Sequence, residues 1–349
     1  MTTPSKTPSN KFATTVYWGF YDRRFSERAI NIPVPETLEK IPRSKFNLRS
    51  EWRLLWGTLQ AAWQENALLV FSSRGFIKPE LIATIIIGFW PKRIRPIVVF
   101  FGEMYQPNIG IRKTFDQIAM KLGNRAVKLY VVYSHEDRAS FAMNWGIDPK
   151  KIRICPYFTY HTQDDELPSI TEKGEHIFSG GNSFRDYEPL IDAARMIPDK
   201  EFYICTTKII PSENHPPNVH IGPVPFKEYQ RLISTAAVVV VPLKTNLKRS
   251  TGMLTYLEAM WSKKPTIVTE AHGVREYITN NETGILVDGT PQAYVDAIRW
   301  ILNPKNQNRI KKITDQAHKV VMDEFTLEKH VTKLLEIMDE AMCIETNDP

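Results

Sequence analysis

STGMLTYLEAMWSKKPTIVTEAHGVRE, residues 250–276, decides how the rest of the chain is read. The run before it, residues 236–243 (AAVVVVPL), is continuous, apolar and β-branched and ends at proline. That is the pattern of a parallel strand buried on both faces. Residues 244–251 form a polar loop, and the periodicity from Met253 to about Lys263 predicts a helix. Gly252 lets the backbone come close to a ligand at the helix mouth, where unpaired N–H groups and the helix dipole favour an anion. Thr251, Gly252 and Met253 supply those N–H groups, and the Ser250 and Thr251 hydroxyls add donors. Glu258 lies about two turns into the helix. A phosphate at the mouth and a hydroxyl-rich group beside Glu258 together describe a sugar nucleotide.

Length and composition set the frame. At 349 residues the chain is long enough for two domains with separate cores, and 42% hydrophobic with 24% charged residues is ordinary for a globular protein. Residues 1–10 (MTTPSKTPSN) are polar and Pro/Ser-rich, so a disordered arm is expected there rather than a signal peptide. Three cysteines, Cys155, Cys205 and Cys343, stand far apart without C-x-x-C spacing, which favours a reducing cytoplasm and argues against a cysteine zinc site. The net charge of +6 suits nucleic acid, an anionic membrane or phosphorylated substrates. No zinc-finger, RRM or KH signature accompanies it, so no nucleic-acid partner is expected. Residues 81–90 (LIATIIIGFW), flanked by Lys92, Arg93 and Arg95, are about half the length of a spanning helix. They read as a core helix, with peripheral contact to an anionic membrane as the alternative.

Strand and helix patterns alternate along the chain, which predicts an α/β protein with two doubly wound parallel sheets. Strands are expected at residues 14–20, 67–72, 96–101, 128–133 and 151–155. Helices are expected at 51–64, 79–89, 114–122 and 136–145. Ser50 is the expected cap of the first, and Trp52, Leu55, Trp56, Leu59 and Trp63 its sheet-packing face. The expected division is an N-terminal domain at 11–160, a polar linker at 161–176, and a second domain at 177–322. The segment 323–349 adds a terminal helix and an acidic tail. Thr290 and Pro291 mark a helix start, with an apolar face over 292–302.

The quoted stretch resembles the donor-binding signature of the family 4 retaining glycosyltransferases of GT-B architecture. In that signature a glutamate, seven residues and a second glutamate precede an Ala-Met pair, a Lys-Pro step into a strand and a Gly turn. Here the second glutamate is Glu258, followed by Ala259, Met260, Lys264, Pro265 and Gly273; Ser250 stands in place of the first. Residues 131–156 (VVYSHEDRASFAMNWGIDPKKIRICP) look like the end of the family's first domain. The resemblance implies two Rossmann-like domains facing across a cleft, Glu258 on the donor ribose, and a last helix that crosses back to the first domain. In residues 180–190 (GGNSFRDYEPL), Gly180 and Gly181 open the phosphate loop. Gly181 replaces the family's arginine, and Arg185 stands where its lysine would hold the diphosphate. Lys248 and Arg249 add positive charge, and residues 221–224, with Gly222 and Val224, form the backbone loop beneath the base.

The acceptor side departs from the family. The loop 100–108 (FFGEMYQPN) carries no histidine, so Glu103 is the candidate acceptor-binding group or base, and His272 the candidate facing the donor sugar. His135 is explained by a helix cap. No D-x-D triplet occurs, so metal-independent transfer is expected, with no cofactor beyond the nucleotide sugar as substrate. The expected activity is a retaining, cytoplasmic glycosyltransferase extending a glycan or a lipid-linked acceptor, peripheral to a membrane in one version. Two alternatives are a degenerate homologue that binds a nucleotide or partner, motivated by Ser250 and Gly181, and a sugar-nucleotide epimerase or hydrolase on the same fold.

Overall fold

The computed structural model describes residues 10–34, 48–71, 78–102, 107–162, 165, 167 and 174–343. The chain divides into two units. One comprises the chain up to Pro156 together with everything from His330 on; the other is Tyr157–Lys329. The division falls ahead of the linker expected at 161–176, because Thr159 is already paired within the second unit: its N–H donates to Phe325 O and its carbonyl accepts from Leu327 N.

In the first unit β1 (Phe12–Thr14), α1 (Arg23–Ser26), β2 (Ala29–Asn31), α2 (Leu48–Gln64) and β3 (Ala67–Phe71) lead into α3 (Pro79–Gly88) and β4 (Ile97–Phe101). Then come α4 (Ile111–Gly123), β5 (Val127–Val132), α5 (His135–Trp145) and β6 (Ile152–Ile154). The six strands are parallel in the order β2-β1-β3-β4-β5-β6. The first strand stops at Thr14, short of the expected Phe20. Thr14 Oγ1 accepts the Val16 N–H, Thr15 Oγ1 takes that of Phe71, and a 3-10 turn follows at Trp18–Tyr21. Side-chain oxygens thus capture the N–H groups that would have continued the ladder.

Ser50 is a buried residue within helix α2, which already includes Leu48, and is not its cap. Its buried face carries Leu54, Leu55, Thr58 and Ala62. The tryptophan face expected against the sheet points outward: Trp52, Trp56 and Trp63 are 59%, 71% and 51% exposed. Both sides of this helix are apolar, and the smaller residues on one side fit the close packing of the core. Helix α3 lies between α2 and α4 and buries Leu81, Ala83, Thr84 and Ile87. Gly123 permits the α3–α4 approach, since a Cβ there would stand 2.8 Å from Thr84 Oγ1. Ser134 caps α5 by accepting the Asp137 N–H.

The second unit contains β7 (Ile177–Gly180), α6 (Glu188–Arg195), β8 (Phe202–Cys205), β9 (Val219–Ile221), α7 (Phe226–Thr235) and β10 (Val238–Val241). It continues through α8 (Met253–Trp261), β11 (Thr266–Thr269), β12 (Ile285–Val287), α9 (Pro291–Leu302) and α10 (Gln307–Glu324). Its strands are again all parallel, ordered β12-β11-β10-β7-β8-β9. Val238–Val241 are fully buried, as a strand covered by helices on both faces must be. Thr290 caps α9 and Pro291 takes its first position.

Helix α11 (Leu327–Cys343) ends the described chain, and from His330 onward it belongs to the first unit. Arg153 pairs there with Glu340, and Arg28 with Asp339. The deeper anchor is His330, 3% exposed. Trp18 Nε1–H donates to its Nε2 at 3.3 Å, and Nδ1 lies 2.7 Å from Pro156 O. Because Trp18 can only donate, Nε2 is the bare nitrogen and Nδ1 carries the proton. The ring also stacks on Phe101 at 6.1 Å.

Burial holds the imidazole well below its ordinary value, at about 4 against 6.5. Above pH 6.5 the folded and unfolded chains both carry it neutral. As pH falls from 6.5 towards 4 only the unfolded chain gains the proton, so stability is lost across that window. The expected loss at pH 5 is about 2 kcal/mol. Urea unfolding followed by tryptophan fluorescence checks this: His330→Gln should be less stable at pH 7.5 yet lose less on going to pH 5 than the parent chain. Equal pH sensitivity in the two proteins contradicts the assignment.

Candidate functional site

In the second unit the chain builds β7, β8 and β9 toward one edge, then returns past β7 to lay β10, β11 and β12 toward the other. The order reverses between β7 and β10. Loops leaving the C-terminal ends of that pair part in opposite directions, which is where doubly wound sheets take ligands. The loop after β7 carries Gly180, Gly181 and Arg185; the loop after β10 carries Lys248, Arg249, Ser250, Thr251 and Gly252.

These two loops are stitched together. Asp186 N donates to Pro242 O, Lys244 N donates to Phe184 O, and Arg185 bridges to Leu243. The turn holds Phe184 at φ 53, left-handed backbone that a bulky residue adopts only under constraint. Its ring lies 5.4 Å from the Arg249 guanidinium, and Thr251 Oγ1 reaches Ser183 O at 3.4 Å. On the far side Tyr187 OH donates to Gly181 O at 2.6 Å, and Thr207 N donates to Asn182 Oδ1 at 2.8 Å.

Arg185 sits at the centre of this seam. Its Nε donates to Gly180 O, Nη1 to Ser183 O and Nη2 to Thr255 Oγ1, at 3.1, 3.0 and 3.0 Å. Burial pulls its pKa below the usual range, and the groups that offset this are the phenols of Tyr187, Tyr229 and Tyr256. Among the described residues no carboxylate pairs with it. Its place is therefore fixed by neutral acceptors, which leaves its charge available to an anion. The guanidinium lies over Gly181, 2.8 Å from where a Cβ would stand.

Helix α8 begins beneath the seam. Gly252 is its N-cap at φ 87, and no side chain caps it. An uncapped first turn presents N–H groups and the positive end of the dipole. Ser250, Thr251 and Met253 are buried around the mouth, and Arg249 is buried too. Lys248 is exposed. Glu258 lies about 9 Å further along the axis.

The Glu258 carboxylate is held by a residue the sequence reading did not single out. His161 Nε2 lies 3.1 and 3.0 Å from its two oxygens, and the His161 ring stacks on Trp261 at 3.3 Å. His161 belongs to the stretch expected to be linker, and no local spacing marks it. His272 follows β11, partly buried beside Gly273, whose φ is 76. Gly222 and Val224 leave the end of β9, two strands from β7 on the other side. The structure thus gathers Gly180, Gly181, Arg185, residues 249–253 and Glu258 around one strand pair, with His272 and the Gly222–Val224 turn to either side. Glu103 lies outside the described residues. Among those described, no group of three or more His, Cys, Asp or Glu side chains is placed to hold a metal ion.

The fold is that of glycosyltransferases with the GT-B architecture. Residues 206–304 match the family described as glycosyl transferases group 1. That segment takes in Gly222, α8 with Glu258, and His272, and leaves Arg185 outside. Over 99 residues, 28% of this chain, there is 31% identity to the trehalose synthase of Pyrococcus horikoshii, and the match spans 23% of that protein's length. Among solved structures, Anabaena HepE in complex with UDP superposes with a TM-score of 0.67 at 14% identity, over 95% of this chain and 100% of that one. Its complex with UDP-glucose gives 0.65 at 16% identity, over 91% and 93%. A glycosyltransferase from Rickettsia africae gives 0.65 at 16% identity, over 95% and 99%.

Gly180 tests the packing beneath the loop. A Cβ at this position would lie 2.6–2.9 Å from the Tyr229 ring and hydroxyl. Gly180→Ala is expected to cost about 1–3 kcal/mol through overpacking. The Gly180→Ala/Tyr229→Ala pair should cost less than the sum of its parts in thermal denaturation. Additive losses would mean the strain lies elsewhere.

Proposed function

We propose that this chain is a metal-independent, retaining glycosyltransferase of family 4 that moves a sugar from a nucleotide-diphosphate sugar to a glycan or lipid-linked acceptor. The observation that carries the reading is the pairing of an uncapped helix N-terminus with an arginine that meets no carboxylate among the described residues, and Glu258 further along the same helix. The diphosphate lies at the mouth of α8 under Arg185, with Ser250, Thr251 and Met253 around it. The ribose hydroxyls donate to Glu258, which His161 holds in place. Gly222 and Val224 lie beneath the base, and His272 faces the donor sugar. As the glycosidic bond breaks, negative charge grows on the leaving diphosphate, and Arg185 with the helix end stabilises it. The acceptor hydroxyl attacks the anomeric carbon from the leaving-group side and gives its proton to the departing phosphate, so configuration is retained. Glu103 is assigned to the acceptor.

The solved HepE complexes with UDP and with UDP-glucose support a uridine nucleotide as the first donor to try. Three cysteines outside any disulfide, Cys155 and Cys205 buried and Cys343 exposed, fit a cytoplasmic location. Among the described residues no helix is long and apolar enough to cross a membrane. A lipid-linked acceptor then requires peripheral membrane contact. The second reading, nucleotide binding without turnover, is favoured by one observation: buried Ser250 stands where the family carries its first glutamate.

A thermal-shift panel of UDP, GDP, ADP and their sugar conjugates, with and without EDTA, separates these readings. One nucleotide family should raise the melting temperature saturably and without regard to EDTA. No shift at millimolar concentration with any donor counts against both readings. Glu258→Ala should weaken nucleotide binding about tenfold, and His161→Ala about fivefold, the worth of one buried hydrogen bond. His161→Gln, which keeps a donor, should recover most of that loss. Turnover with an acceptor and an axial-to-axial or equatorial-to-equatorial product by NMR supports retention; binding without turnover selects the second reading.

A further inference from the structure

We propose that the outer side of the α2–α3–α4 layer is a docking surface for an anionic lipid bilayer. This rests on the peripheral-membrane part of the function proposed above, and not on the donor chemistry. The sequence alternative placed membrane contact on residues 81–90, half of which are buried. The exposed apolar surface lies instead on the helices to either side.

On α2, Trp52, Trp56 and Trp63 are spaced by four and seven residues, so they fall within about 40° of one line along the helix. On α4, Ile111, Phe115 and Ile118, spaced by four and three residues, share one side of the helix and are 78%, 68% and 52% exposed. The end of α3 joins the two stripes. Trp90 meets Trp63 edge to face at 5.8 Å, and exposed Phe89 lies 5.1 Å beneath the Arg125 guanidinium. Arg95 donates to Gly88 O, Trp90 O and Arg125 O, which fixes this turn. Monomers do not ordinarily leave so large an aromatic patch in water.

Charge identifies the occupant. Arg49 and Arg53 flank the tryptophan stripe, Lys92 and Arg93 follow α3, and all four are exposed. Arg112, Lys113 and Lys121 on α4 are exposed as well. The carboxylates of these segments do not oppose them: Glu51 and Glu80 are buried, Glu65 is half-buried, and Asp116 is held by Lys78 at 3.0 Å. Among the described residues, every fully exposed ionised group on this layer is a cation. Two copies meeting through this face would set cation against cation. An anionic headgroup layer accepts the cations while the tryptophans sit at the headgroup level.

Sedimentation of the full chain with vesicles tests the surface, using phosphatidylcholine alone and a 1:1 mixture with phosphatidylglycerol. Binding to the anionic vesicles is expected, with loss of most of it in 0.5 M salt. Trp52→Gln/Trp56→Gln/Trp63→Gln should lower partitioning at least about tenfold. So should Arg112→Glu/Lys113→Glu/Lys121→Glu, which leaves the apolar face intact. The UDP thermal shift, run on the same samples, should be unchanged in both variants. That shift also separates the two proposals, since vesicle binding can fail while UDP still binds. No binding to anionic vesicles, or equal binding by both variants and the parent, overturns the proposal. A parent dimer that the tryptophan variant dissociates assigns the face to a second copy and overturns it as well.

Discussion

The second unit depends on where one guanidinium goes. Strands β7 and β10 are neighbours in the sheet but far apart in sequence, and the loops that leave them are joined across that gap by Arg185. A partly buried cation is costly unless its inward donors find acceptors. Here each acceptor belongs to a different stitch: the end of β7, the turn at Ser183, and the first turn of α8. The same bonds that meet the burial cost therefore fix the two loops relative to the helix mouth. Among the described residues the guanidinium meets phenols, hydroxyls and carbonyls and no carboxylate, so its charge adds to the dipole of α8. One side chain is at once the strut of the loops and the charge that the proposed diphosphate would meet.

A comparable economy governs the first unit. Its sheet is closed against the return of the chain by His330, whose two nitrogens are committed in opposite senses to Trp18 and Pro156. Trp18 does not tolerate a protonated ring, because it can only donate, and burial disfavours the charge, while the Pro156 carbonyl accepts from Nδ1 in either state. The unit is therefore tied to the neutral imidazole, and its surface pairs, Arg153 with Glu340 and Arg28 with Asp339, contribute less because water competes for them.

Much of the local structure around the candidate site was legible from residue types. The Val run, the glycine at the helix start and the Leu-Glu-Ala-Met quartet each carry a local physical meaning, so strand, mouth and carboxylate are found where the pattern put them. His161 was not legible. Its bond to Glu258 spans 97 positions, and a histidine in a polar stretch gives no local sign of a distant partner. The tryptophan helix failed in a different way. Spacing fixes which residues share a face, and Trp52, Trp56 and Trp63 do share one. When both faces are apolar, periodicity cannot say which turns inward.

The sequence by itself determined the elements whose cause is local: buried strands from β-branched runs, Thr290 and Ser134 at helix starts, and Gly252 where the backbone must turn left-handed. It also determined the alternation that makes two parallel sheets. Only the tertiary structure decided which strands lie side by side, and with that which loops meet, what Arg185 and His161 bond, and which side of α2 faces water. These are outcomes of packing between segments far apart in the chain. Their energies depend on volume and desolvation at contacts that no stretch of sequence contains.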